Sequence, residues 1–206
     1  MKNYPTVVNR QPMNLLVITA LFILFVVGCA KDVDPVNDDV SFNAQFKNLG
    51  GAKFKSSQEM VLRWNQAAIY VVLRTGQLQA TPRIPPFRES HYYAMVNIAV
   101  HDALNNIIPR YKTYALTGRD KDADPDAAIA KAAHDVITHF FGRLNPPANI
   151  TPQLVQDSIH NLLAQCLQQI PDGEAKTKGI ALGAAAAQAI ILNRTGDGSA
   201  NAIFAI

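Results

Sequence analysis

The run His91-Tyr-Tyr-Ala-Met-Val-Asn-Ile-Ala-Val-His-Asp-Ala-Leu-Asn-Asn-Ile-Ile108 constrains this chain more than any other stretch. It carries a single acid, Asp102, and is stopped by Pro109. Tyr92, Met95, Val96, Ala99, Ala103 and Ile107 recur at helical spacing and form a wide apolar face. Asn97, His101, Asp102, Asn105 and Asn106 interrupt that face with groups that need hydrogen-bond partners wherever they are buried. A helix this apolar is expected to be central, with other helices packed on it.

Four further segments carry the same period. Ser56 and Glu59 have capping-box spacing, and Met60, Val61, Trp64, Ala67, Ala68, Val71 and Val72 follow as one face that ends at Thr75-Gly76. Trp64 is expected in the contact with the central helix. Thr81-Pro-Arg-Ile-Pro-Pro86 reads as an extended connection. Asp124-Pro125 supplies an N-cap and a proline at the first helical position. Ile129, Ala133, Val136, Ile137 and Phe140 line the buried face behind it, and Gly142 ends the helix. Thr151-Pro152 repeats the start signal for a helix lined by Val155, Ile159, Leu162, Leu163, Cys166 and Ile170, which Pro171-Asp172-Gly173 breaks. The fifth runs from about Glu174 to Arg194. Its Gly179, Gly183 and Ala187 share a stripe of small residues that admits another helix closely. No alternating run or hairpin signal occurs. The expected class is all-α, a bundle of about five helices over residues 56–206.

The N-terminus reads as an address. Lys2 and Arg10 precede an apolar run, Leu15 to Val27, that is shorter than the roughly 20 residues needed to span a bilayer. It ends in Val26-Val27-Gly28-Cys29, which resembles a bacterial lipobox. That resemblance implies a signal peptide over residues 1–28, cleavage before Cys29, lipid on Cys29, and a place in the cell envelope outside the cytoplasm. Residues 29–55 read as a polar, turn-prone tether with Asp32, Asp34, Asp38 and Asp39 near its start. Cys166 is then alone, and on an apolar helix face it is most simply a small core residue.

Composition narrows the chemistry. Hydrophobic residues are 49% and charged ones 17%, which excludes a disordered chain. The net charge of +3 is scattered, without a basic stripe, so nucleic acid is not an expected partner. A metal pair on one helix wants three- or four-residue spacing. His134 and His139 are five apart and His101 neighbours Asp102, so both pairs are expected to diverge. Neither a metal site nor a catalytic residue is assigned. Asp135 and His139 have the spacing to pair across one turn.

Several segments, in order, resemble bacterial vanadium-dependent haloperoxidase-like proteins of the type 2 phosphatidic acid phosphatase superfamily. They are Leu62-Arg-Trp-Asn-Gln-Ala-Ala68 and Val100-His-Asp-Ala-Leu-Asn-Asn-Ile107, then Tyr111 and Tyr114, and Asp124-Pro-Asp-Ala-Ala128 with Ala132-Ala-His134. Ile170-Pro-Asp-Gly173 with Lys176, Gly179-Ile-Ala-Leu-Gly183 and Arg194-Thr-Gly-Asp-Gly-Ser199 complete the set. The resemblance implies the N-terminal half of a larger helical fold. It also implies that vanadate or phosphate would be held by a later half, through K-x6-R-P, P-S-G-H and S-R-x5-H motifs. This chain has neither of the last two. Lys112 and Arg119 have the first spacing, but Asp120 stands where the proline belongs, and the pair is read as coincidence. No cofactor is therefore expected here; vanadate belongs to a full-length member.

Three readings follow: an inert half that pairs with a catalytic half or with itself, a helical binding or scaffold lipoprotein, and an enzyme with a site around His101 and Asp102. The small-residue stripe on the fifth helix is the expected partner surface. If Cys29 carries the lipid, Cys29→Ser should leave a soluble or unprocessed protein. Unchanged membrane partitioning and unchanged mass would remove the lipoprotein reading.

Overall fold

A computed structural model describes residues 56–78, 86–141 and 152–199. Cys29, the tether, the Gly142 stop and the Thr151 cap lie outside the described residues. Five helices and no strand occur among those described: α1 Ser57–Leu78, α2 Pro86–Ile107, α3 Pro125–Phe141, α4 Pro152–Gln168 and α5 Glu174–Asn193. The all-α class holds.

The helix starts follow their caps. The Glu59 amide donates to Ser56 Oγ at 3.4 Å at the head of α1. The Ala127 amide donates to Asp124 Oδ1 at 2.8 Å at the head of α3, where Pro125 gives up an N–H the first turn could not use. Two boundaries differ from the sequence reading. α1 continues through Gly76 to Leu78, since one glycine costs a helix only about 1 kcal/mol. α2 starts at Pro86 instead of His91, because proline is tolerated in a first turn.

The hub is α3, not the helix that carries the longest apolar run. α3 packs against each of the other four helices, and α2 packs against α1, α3 and α5. The reason is size. Ala127, Ala128, Ala130, Ala132 and Ala133 of α3 are all fully buried, and their small side chains let neighbours close in from several directions. Larger groups fill the surrounding layer, with Met60, Trp64, Tyr92, Ile129, Ile137, Ile159, Leu162 and Ile190 almost wholly buried. Trp64 meets α3 edge-on at the His134 ring, with centroids 6.2 Å apart. Phe141 is buried where Phe140 was expected; Phe140 is half-buried and stacks on Tyr92 at 4.2 Å between ring centroids. Cys166 is a buried free thiol whose burial pushes its pKa up, as a core residue should be.

The small-residue stripe of α5 is not an outer surface. Gly179, Gly183 and Ala187 are buried. A Cβ at Gly179 would collide with the Asp124 carbonyl oxygen, and one at Gly183 with the Ala128 carbonyl oxygen. The stripe is spent on the α3 contact, and the two glycines let backbone approach backbone. Outward apolar side chains lie elsewhere: Leu62, Ile69 and Leu73 of α1 are 66%, 46% and 53% exposed, and Leu192 near the end of α5 is 61% exposed.

Gly183→Ala should therefore destabilise the protein despite alanine's better helix propensity. Overpacking against rigid backbone costs about 1–3 kcal/mol. An unchanged or raised melting temperature would show that the α3–α5 contact is looser than described.

Candidate functional site

Asp102, Asn105 and Asn106 of the longest apolar run converge on one segment, the loop 108–123 that follows α2, whereas Asn97 bonds the Tyr93 carbonyl within the helix. Asp102 is fully buried, and its carboxylate receives three consecutive loop amides. Tyr114 donates to Oδ1 at 2.7 Å, and Ala115 and Leu116 donate to Oδ2 at 2.6 and 2.8 Å. The amides of Arg110 and Tyr111 donate to Asn105 Oδ1 at 3.1 and 2.8 Å. Asn106 Nδ2 donates to the carbonyls of Asp102 and Leu116, and the Asp120 amide returns to the Asn106 carbonyl at 3.0 Å. One turn of α2 thus pins most of the loop.

His101 joins this clamp. Its Nδ1 lies 3.1 Å from Asp102 Oδ1, so the adjacent pair meets where divergence was expected. Burial pushes the Asp102 carboxyl up, but the amides of Leu116, Tyr114 and Ala115 and the His101 ring outweigh it and hold the group below its ordinary value. His101 borders an open cleft of about 560 Å³ together with Ile98, Lys112, Thr113 and Tyr114. Lys112 and Arg119 both sit on the clamped loop and are exposed.

A second histidine–carboxylate group lies between α3 and α4. His134 Nδ1 is 2.7 Å from Asp135 Oδ1, which also accepts Lys131 Nζ at 2.8 Å. His134 Nε2 is 2.8 Å from Nδ1 of His160. Burial raises the Asp135 carboxyl, yet hydrogen bonds from His134 and Lys131 prevail and lower it. Pairing rules within one helix could not find this contact, because its partners are 26 residues apart on different helices. Asp135, which has the spacing to pair with His139, is engaged by His134 and Lys131. At the other end of α2, His91 Nε2 approaches Asp197 Oδ2 at 3.6 Å, which draws the Arg194–Ser199 segment back to the start of that helix. Among the described residues, no three His, Cys, Asp or Glu side chains gather as a metal-binding group.

No protein-family model, curated protein or solved structure matches this chain.

The Asp102 clamp fixes a sign for pH. A carboxyl lowered in the folded state contributes stability above its ordinary value of about 3.9, and that stability is lost as pH falls through the lower folded value. Asp102→Asn should remove this acid-side component. It should also lower stability near neutral pH by on the order of 2–4 kcal/mol, since loop amides are left without acceptors. A variant as stable as the parent, with the same acid profile, would mean the loop holds itself.

Proposed function

We propose that this chain is a lipid-anchored helical module of the bacterial cell envelope, equivalent to the N-terminal, non-catalytic half of a haloperoxidase-like fold and inert by itself. One observation carries the reading. The residues that bear the resemblance in α2 are occupied with architecture: Asp102 takes four donors, and Asn105 and Asn106 each bond to the following loop. A carboxylate saturated in this way has little capacity left to take up a proton during a reaction. The exposed Leu62, Ile69 and Leu73 of α1 add support, since apolar side chains seven and four residues apart suit contact with a further helical layer.

Chemistry points the same way. Vanadate and phosphoryl sites work by several convergent cations and donors, and losing one donor costs on the order of 10²–10³ in rate. The sequence lacks the serine, the histidines and the second arginine of the family's motifs together. The full-length chain in detergent is expected to show no vanadate-dependent bromide oxidation and no phosphomonoester hydrolysis above background. Activity that disappears in a folded His101→Ala variant would overturn the proposal and put an active site in the cleft beside Lys112.

A further inference from the structure

Among the described residues α4 has the narrowest attachment of the five helices: it packs on α3 and on no other helix to a comparable extent. Its inner face is apolar, with Val155, Ile159, Leu162 and Cys166 buried. One polar contact crosses the joint, where His134 Nε2 of α3 meets His160 Nδ1 of α4 at 2.8 Å. His134 is 5% exposed and lies against the Trp64 edge, whereas His160 is exposed. The Asp135 carboxylate is ionised and can only accept, so the hydrogen on His134 is on Nδ1, 2.7 Å away. Neutral His134 then accepts at Nε2, and His160 donates from Nδ1. The other nitrogen of His160, Nε2, keeps a lone pair.

Two facing imidazoles hold one hydrogen between them in the neutral and in the singly charged form alike. An added proton enters at His160 Nε2, and the central hydrogen stays where it is. The central bond is then charge-assisted, which makes it roughly twice as strong. A second proton would put hydrogens on both facing nitrogens and break the bond, so the two rings take up one proton as a unit. The Asp135 carboxylate and the exposed Asp157, one turn before His160, favour the added charge. Lys131, on Asp135 Oδ1, opposes it, and Arg63 of α1 is turned to Cys166 Sγ at 3.9 Å.

We propose that the His134–His160 couple is a proton-strengthened clasp that tightens α4 onto α3 on mild acidification. The charged couple is bonded only in the folded protein, because the rings lie on different helices. Its contribution is therefore full below the ordinary imidazole value of about 6.5 and is lost as the couple gives up its proton at higher pH. The inference is independent of the haloperoxidase reading.

The test uses the full-length chain in detergent, with Cys29→Ser so that Cys166 is its one thiol. Cys166 is fully buried on α4 and becomes accessible when that helix opens. Its labelling by a disulfide reagent, divided by that of the unfolded chain at the same pH, reads the opening. Opening should fall about fivefold between about pH 8 and about pH 5.5. His160→Asn keeps a donor in place of Nδ1 but cannot take up a proton, and should show no such fall. His160→Ala changes an exposed residue, should fold, and should open more than the parent at both pH values. In nitrogen-resolved NMR the two rings should shift together and take up one proton between them. Parental opening that does not fall, a fall that persists in folded His160→Asn, or rings that titrate separately with one proton each would overturn the proposal.

Discussion

One buried carboxylate fixes the course of the chain between two helices of this fold. Asp102 sits wholly inside the protein with a charge that is tolerable only because four donors surround it. Three of those donors are consecutive backbone amides, so the carboxylate imposes a path on the chain as it leaves α2. That path ends at Asp124, whose side chain caps α3 and whose amide donates to the Ala175 carbonyl in the first turn of α5 at 2.8 Å. The Asp124 carbonyl oxygen in turn is what lies over Gly179. A single side chain on α2 is thereby linked, through one loop, to the closest helix contact in the bundle. Asparagine could not replace it, because its amide nitrogen would face amide donors.

The α3–α5 contact explains why a helix rich in alanine is the hub. Side chains of Leu or Ile hold helix axes about 8–10 Å apart and limit how many neighbours one helix can have. α3 has alanine at five fully buried positions, and α5 answers with glycine at two. Backbone meets backbone there, and the bulky groups are displaced outward to where α1, α2 and α4 meet α3. Close backbone approach adds dispersion there, which is lost steeply with distance, to the burial of Ile129, Val136, Ile137 and Phe141 on the other faces of α3.

Those features were unequally legible in the sequence. Local signals were dependable: Asp124-Pro125 opens α3 as expected, and Pro171-Asp172-Gly173 separates α4 from α5. The polar residues within α2 were legible as groups in need of partners, but the loop partners of Asp102, Asn105 and Asn106 lie five to fourteen residues on, in a segment with no periodic pattern. The glycine stripe announces close approach without saying to what, so it reads equally as a partner surface when α3 covers it. Pro85-Pro86 hid the first turn of α2 because a proline pair signals both a break and a helix start. The His134–His160 contact was beyond any rule of spacing, since it exists only once α3 and α4 have docked.

The two histidine–carboxylate groups show how the same pair is turned to different ends by what else reaches the carboxylate. At Asp102 the backbone supplies three of four donors, the carboxylate is immobile, and the imidazole serves as one more strut beside a cleft. At Asp135 no loop amide competes. The carboxylate is shared by His134 and one lysine at the surface, and its influence passes through the His134 ring to a nitrogen that faces a second helix. A carboxylate whose oxygens are filled by backbone can only hold shape. One that is shared with an imidazole extends the network instead, and in this bundle the His134 ring carries it across the α3–α4 contact to His160.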